Sequence, residues 1–125
     1  MMKRRDFLKL TAAGGLASLA TNSAALAQAP AKPRTRIVFL GTKGGPRVGL
    51  GRSNPANLIE INGTPIVLDC GMGVSHQLVA AKVPLQSVKY ILLSHLHSDH
   101  DLEYGNLAYN AWATGLKTEI HSFGL

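Results

Sequence analysis

The stretch ILLSHLHSDHD, Ile91 to Asp101, sets three histidines and two aspartates directly behind an apolar run. With its upstream residues it reads VKYILLS, Val88 to Ser94, a near-continuous apolar segment that predicts a strand buried on both faces. His95, His97, Asp99 and His100 spell H-x-H-x-D-H. Neutral imidazole and carboxylate are the ligands that zinc and its neighbours favour. In an extended segment side chains two apart point the same way, so His95 and His97 can share one ion. Asp99 and His100 fall where the chain turns toward a helix, and can address a second ion. A strand gripped on both faces fixes the backbone, so the loop at its end can hold ligands to tight tolerance. With this chain's His and Asp content the spacing arises by chance in roughly a few of ten thousand such chains. A merely solvated polar loop is therefore the weaker reading.

Working outward, TRIVFLG (Thr35 to Gly41) alternates and is β-branched, as a strand does. The Gly- and Pro-crowded GTKGGPRVGLGRSNP that follows is a loop. No G-x-x-x-x-G-K-[ST] phosphate loop is present in it, and a wall beside the histidine site is its better role. ANLIEI and TPIVLDC are strand-like and flank Asn62-Gly63, a dipeptide suited to a tight hairpin. VSHQLVAAK (Val74 to Lys82) places Val74, Leu78, Val79 and Ala81 at largely helical spacing. After the histidine cluster LEYGNLAYNAWATG predicts one helix ending at Gly115, with Tyr104, Tyr109 and Trp112 supplying packing. KTEIHSFGL begins another strand. Strands alternating with helices predict a layered α/β domain. A closing strand without a successor leads us to expect the first half of a longer polypeptide.

The N-terminus has a different character. Arg4 and Arg5 precede a stretch without charge from Leu10 to Ala31, and Ala25-Leu26-Ala27 offers a small-residue cleavage site. RRDFLK resembles the twin-arginine export signal. We expect residues 1–27 to be that signal, residues 28–35 a linker and residues 36–125 the domain. A membrane-anchoring helix is the competing reading, weakened by the Thr, Ser, Asn, Gln and Gly that dilute the segment. Of the thirteen basic and seven acidic residues, four and one lie before Ala27, leaving nine against six. That balance makes no electrostatic case for nucleic acid. Cys70 is the only cysteine, which excludes an internal disulfide, and at the end of an apolar strand it reads as a small buried residue.

SHLHSDH resembles the metal loop of the metallo-β-lactamase-fold hydrolases. FLGTKGGP, NLIEINGTPIVLDCGMGVSHQL and VKYILLSHLHSDH are similar in order to the branch that contains ribonuclease Z and its arylsulfatase-like relatives. The resemblance implies the N-terminal half of an αββα sandwich carrying two zinc ions, with manganese or iron as alternatives. It assigns His95 and His97 to the first ion and Asp99 and His100 to the second, with Asp99 also orienting the attacking water. Two such ions lower the pKa of water and steady charge on the attacked centre. Asp69 matches a family aspartate that holds a ligand histidine by its far nitrogen; capping a turn at a strand end explains it equally well. The branch often dimerises, so the resemblance admits a homodimer.

Departures shape the functional expectation. Ser98 stands where the ribonuclease branch usually has glycine, Asp101-Leu102-Glu103-Tyr104 replaces its glycine- and proline-rich run, and Lys43 replaces a small residue. Together with the export signal these changes favour a periplasmic or secreted enzyme, delivered by the twin-arginine machinery and acting on small-molecule esters. Nucleic acid is not expected as a partner of an exported protein. Two readings stay open beside this one: a truncated, catalytically silent fragment that binds metal, and a tRNA 3′-processing endonuclease. The four ligands of the loop fall short of the roughly seven that two ions need, and the rest are expected beyond Leu125.

Overall fold

In β1 (Thr35–Gly41) side chains alternate, so Val38 and Leu40 turn inward while Ile37 and Phe39 face outward. The strand takes in Thr35, the last residue of the expected linker. This computed structural model describes residues 34–47, 49 and 51–124, and the expected export segment, residues 1–27, lies outside them. β1 pairs antiparallel with β2 (Ala56–Ile61), with Val38 opposite Leu58. At the next turn Asn62 has φ 50° and Gly63 φ 83°. Positive φ at both central residues is what a two-residue hairpin matched to strand twist requires, and Asn-Gly supplies it at least cost. β3 (Thr64–Leu68) then returns antiparallel, with Leu58 opposite Val67.

The next two pairings are parallel, and each parallel pairing needs a crossover. Between β3 and β4 (Tyr90–Leu93) run α1 (Val74–Ala80) and a 3₁₀ turn over Leu85–Ser87. Between β4 and β5 (His121–Gly124) run α2 (Ser98–Asp101) and α3 (Tyr104–Ala113). The sheet order is β1-β2-β3-β4-β5. Leu78 of α1 and Leu107 of α3 are fully buried in one core with Leu58, Val67 and Ile91. Both crossovers therefore cover the same face of the sheet, as successive crossovers of one hand must.

Some sequence expectations are corrected. The strand expected over Val88–Ser94 spans only Tyr90–Leu93, and of its four side chains Ile91 alone is fully buried. Helices cover one face, so Tyr90 and Leu92 on the other keep partial exposure. The helix expected from Leu102 to Gly115 forms as α3, which starts two residues later, where the Glu103 N–H donates to the Cys70 carbonyl at 2.9 Å; the short α2 inside the histidine motif precedes it. Tyr109 and Trp112, expected to pack, are 63% and 66% exposed and lie against each other at 5.7 Å. Val79, expected on the inner face of α1, is also exposed, since Val74 and Leu78 already fill that face.

Candidate metal centre

Ser94 leaves the end of β4, and His95, Leu96 and His97 continue in irregular backbone before α2 begins at Ser98. Leu96 points to solvent while the two flanking rings meet, with His95 Nε2 3.2 Å from His97 Nδ1. Two nitrogens on a zinc tetrahedron with bonds of about 2.0–2.1 Å stand about 3.3 Å apart, so the separation suits one shared ion. One turn further, buried Asp99 brings Oδ2 to 3.7 Å from His100 Nε2, a second donor pair. The His95 and His100 rings are 4.0 Å apart, so the two pairs stand side by side. Donors thus come in twos, and among the described residues no group of three or more His, Cys, Asp and Glu side chains is placed to hold an ion. The donor chemistry fits zinc, and each pair would fill half of its usual four positions.

The backbone that aims these groups is locked by the segment after β3. Asp69 N–H donates to the Leu92 carbonyl at 2.8 Å, Cys70 N–H to the His100 carbonyl at 2.6 Å, and Gly71 N–H to the Pro55 carbonyl at 3.1 Å. Gly71 is threaded so closely that a Cβ there would lie 2.2 Å from the Asp99 carbonyl oxygen. Cys70 is fully buried, and burial first, then the Asp69, Glu103 and Asp101 carboxylates, push its thiol up from 9.0 to about 12. A neutral thiol of that kind is an inert filler rather than a nucleophile.

Asp69 is buried in the left-handed conformation, φ 65°, uncommon for any residue but glycine though tolerated by Asp and Asn. Its Oδ1 accepts the Ser94 N–H at 2.8 Å, and its Oδ2 accepts the Ser94 hydroxyl at 2.9 Å. Oδ2 also lies 2.8 Å from His100 Nδ1. The side chain therefore both ties down the end of β4 and grips a histidine of the motif. Sequence reasoning overlooked Ser94, which also sits 3.0 Å from His95 Nδ1. Its signal was available: a hydroxyl at a strand end, directly before the first histidine.

The glycine-rich loop does lie beside this site, and Pro46 joins His97, Ser98 and Asp99 around an open cleft. Asn54 Nδ2 donates to the Gly45 carbonyl at 2.9 Å, and Lys43 Nζ donates to the Gly45 and Arg47 carbonyls, folding the loop on itself. His76 is exposed on α1, and exposed His121 of β5 stacks on Tyr90 of β4.

Comparison with known proteins places these features in a family. Residues 49–117 match the model of the metallo-beta-lactamase superfamily. A ribonuclease Z from Mycobacterium sp. (strain KMS) is 33% identical over 84 residues, 67% of this chain and 29% of that protein. The chain thus spans less than a third of that relative's length. Human tRNase Z, short form, superposes with a TM-score of 0.62 at 25% identity, over 69% of this chain and 33% of that one. The metallo-beta-lactamase fold protein YhfI from Bacillus subtilis superposes with a TM-score of 0.60 at 19% identity, over 73% of this chain and 44% of that one. With the family model matched over more than half of its residues, and a five-stranded sheet that corresponds to half of that fold, the chain belongs to the metallo-beta-lactamase superfamily.

Proposed function

We propose that this chain carries the metal loop of an exported dinuclear metallohydrolase acting on small ester, phosphodiester or sulfate-type substrates. The observation that carries the reading is the pairing of donors, His95 Nε2 with His97 Nδ1 at 3.2 Å and Asp99 Oδ2 with His100 Nε2 at 3.7 Å. In this reading each pair holds one divalent ion, zinc by its donor chemistry, with manganese or iron taking the same ligands. When bound, such ions supply a water of lowered pKa and a clamp for charge on the attacked centre. Asp99, buried but bordering the cleft, accepts a hydrogen bond from the attacking water and so orients it. Pro46 and Ser98 form the rest of the cleft wall and limit how a substrate approaches. The further ligands that complete both coordination spheres come from the part of the relatives' length that this chain does not match. Export rests on RRDFLK and the uncharged stretch behind it.

A second reading, tRNA 3′ processing, is favoured by the ribonuclease Z name of the relative quoted above. Zinc content of the purified protein, and turnover of an aryl sulfate, bis-p-nitrophenyl phosphate and a precursor tRNA, separate the readings. The export reading expects zinc that is lost in His97→Ala, hydrolysis of a small ester, and no tRNA cleavage. Cleavage of the tRNA instead, with a fused export reporter indifferent to Arg4→Lys and Arg5→Lys, would establish the second. Zinc without turnover of any substrate would leave a silent metal-binding chain.

A further inference from the structure

We propose that Ser94 is a positioning residue that passes the hold of Asp69 on to His95, so that one buried carboxylate sets the tautomer of a histidine in each donor pair. The proposal rests on the metal reading above and follows from counting protons. An ionised carboxylate can only accept hydrogen bonds. Asp69 Oδ2, 2.9 Å from Ser94 Oγ, therefore takes the single hydroxyl proton of Ser94. With that proton committed, Ser94 Oγ can only accept at its contact with His95 Nδ1, 3.0 Å away. His95 must then carry its proton on Nδ1, which leaves the Nε2 lone pair free on the side facing His97. His100 is set by the same carboxylate without an intermediary, because its Nδ1 lies 2.8 Å from Asp69 Oδ2. The longer 3.5 Å approach of Ser94 Oγ to His100 Nδ1 adds nothing to this order. His100 Nε2 is thereby left free toward Asp99, 3.7 Å away. The Ser94 N–H, donating to Asp69 Oδ1 at 2.8 Å, holds the hydroxyl in register with the carboxylate. Asp69 thus reaches both donor pairs, one directly and one through Ser94.

The test uses the full chain, labelled with ¹⁵N in its imidazoles and studied without metal at a pH where the rings are neutral. Long-range ¹H–¹⁵N spectra assign the protonated nitrogen of His95 and His100, and titration against a chromophoric chelator gives zinc affinity. Both rings should be protonated on Nδ1. Ser94→Ala should release His95 to a mixture of tautomers, leave His100 unchanged, and weaken zinc about 10-fold. Ser94→Thr, which keeps the hydroxyl, should restore both readings; a Ser94→Thr protein as impaired as Ser94→Ala overturns the proposal. An Nδ1-protonated His95 that survives Ser94→Ala, with unchanged zinc affinity, also overturns it. Zinc binding indifferent to His95→Ala and His97→Ala would instead sink the underlying metal reading, and is told apart by the tautomer spectra.

Discussion

Asp69 accepts three hydrogen bonds from a backbone conformation that most side chains avoid, and this combination makes Asp69→Asn informative. Asparagine tolerates the left-handed region as well as aspartate, so the backbone cost is unchanged and only the charge and one acceptor are lost. We expect a folded protein with zinc affinity reduced about 10–100-fold, measured by chelator competition. Next in the chain, Cys70 supplies a pH prediction. Its thiol is raised to about 12 in the fold against 9.0 when free, so the folded state keeps the proton that the unfolded state gives up. The stabilisation is complete below about pH 9 and is lost as pH rises toward 12. Denaturant midpoints should fall over that window more steeply than in Cys70→Ala. The same burial predicts that Cys70 reacts with a thiol reagent only after denaturation.

Among the elements, the turn from β3 into α1 governs the site more than the strand on which the ligands sit. Gly71 passes between the Pro55 and Asp99 carbonyl oxygens, where a methyl group would approach them to 2.8 and 2.2 Å. Gly71→Ala should cost about 1–3 kcal/mol of stability, as overpacking does, and should weaken zinc in parallel because α2 must shift. Gly105, in α3, has open space where its Cβ would be. Gly105→Ala should therefore stabilise the protein by about 0.4–1 kcal/mol without touching zinc affinity. Urea titration alongside chelator competition reads both variants. If both changes shifted stability alike, the close approach at Gly71 would have no mechanical meaning.

For the molecule as a whole, the uneven covering of the sheet is the dominant feature. Core side chains fill the helical face, while Leu68, Leu92 and Phe123 form an apolar row in register on the opposite face, with Asn57 standing between Leu68 and Phe39 at the edge strand. Phe39 is 75% and Phe123 59% exposed, and Ile37 adds to the patch. Contiguous apolar surface of this kind binds other apolar surface or aggregates. In the αββα sandwich of this superfamily such a face meets a second sheet. We expect the 125-residue chain to bind a hydrophobic dye and to self-associate. Phe39→Ser with Phe123→Ser should reduce both, by fluorescence and sedimentation, and leave the tautomers of His95 and His100 as they were.

What the amino-acid order determined alone were the features written locally: the hairpin at Asn62-Gly63, the strands of β1 and β2, the first crossover helix and the H-x-H-x-D-H spacing. Each depends on neighbours a few residues away, where alternation, turn chemistry and ligand spacing can be read along the chain. Only the tertiary structure decided the rest. It brought Asp69 from just past the end of β3 against Ser94 and His100, set Pro46 of the glycine-rich loop beside the cleft, and fixed the start of α3 by offering the Glu103 N–H the Cys70 carbonyl. It also turned Tyr109, Trp112 and one face of β4 toward solvent. The physical reason is that a residue's hydrophobicity states its preference for burial, whereas long-range packing decides which faces find cover. Hydrogen bonds between segments some thirty residues apart leave no periodic trace in the chain.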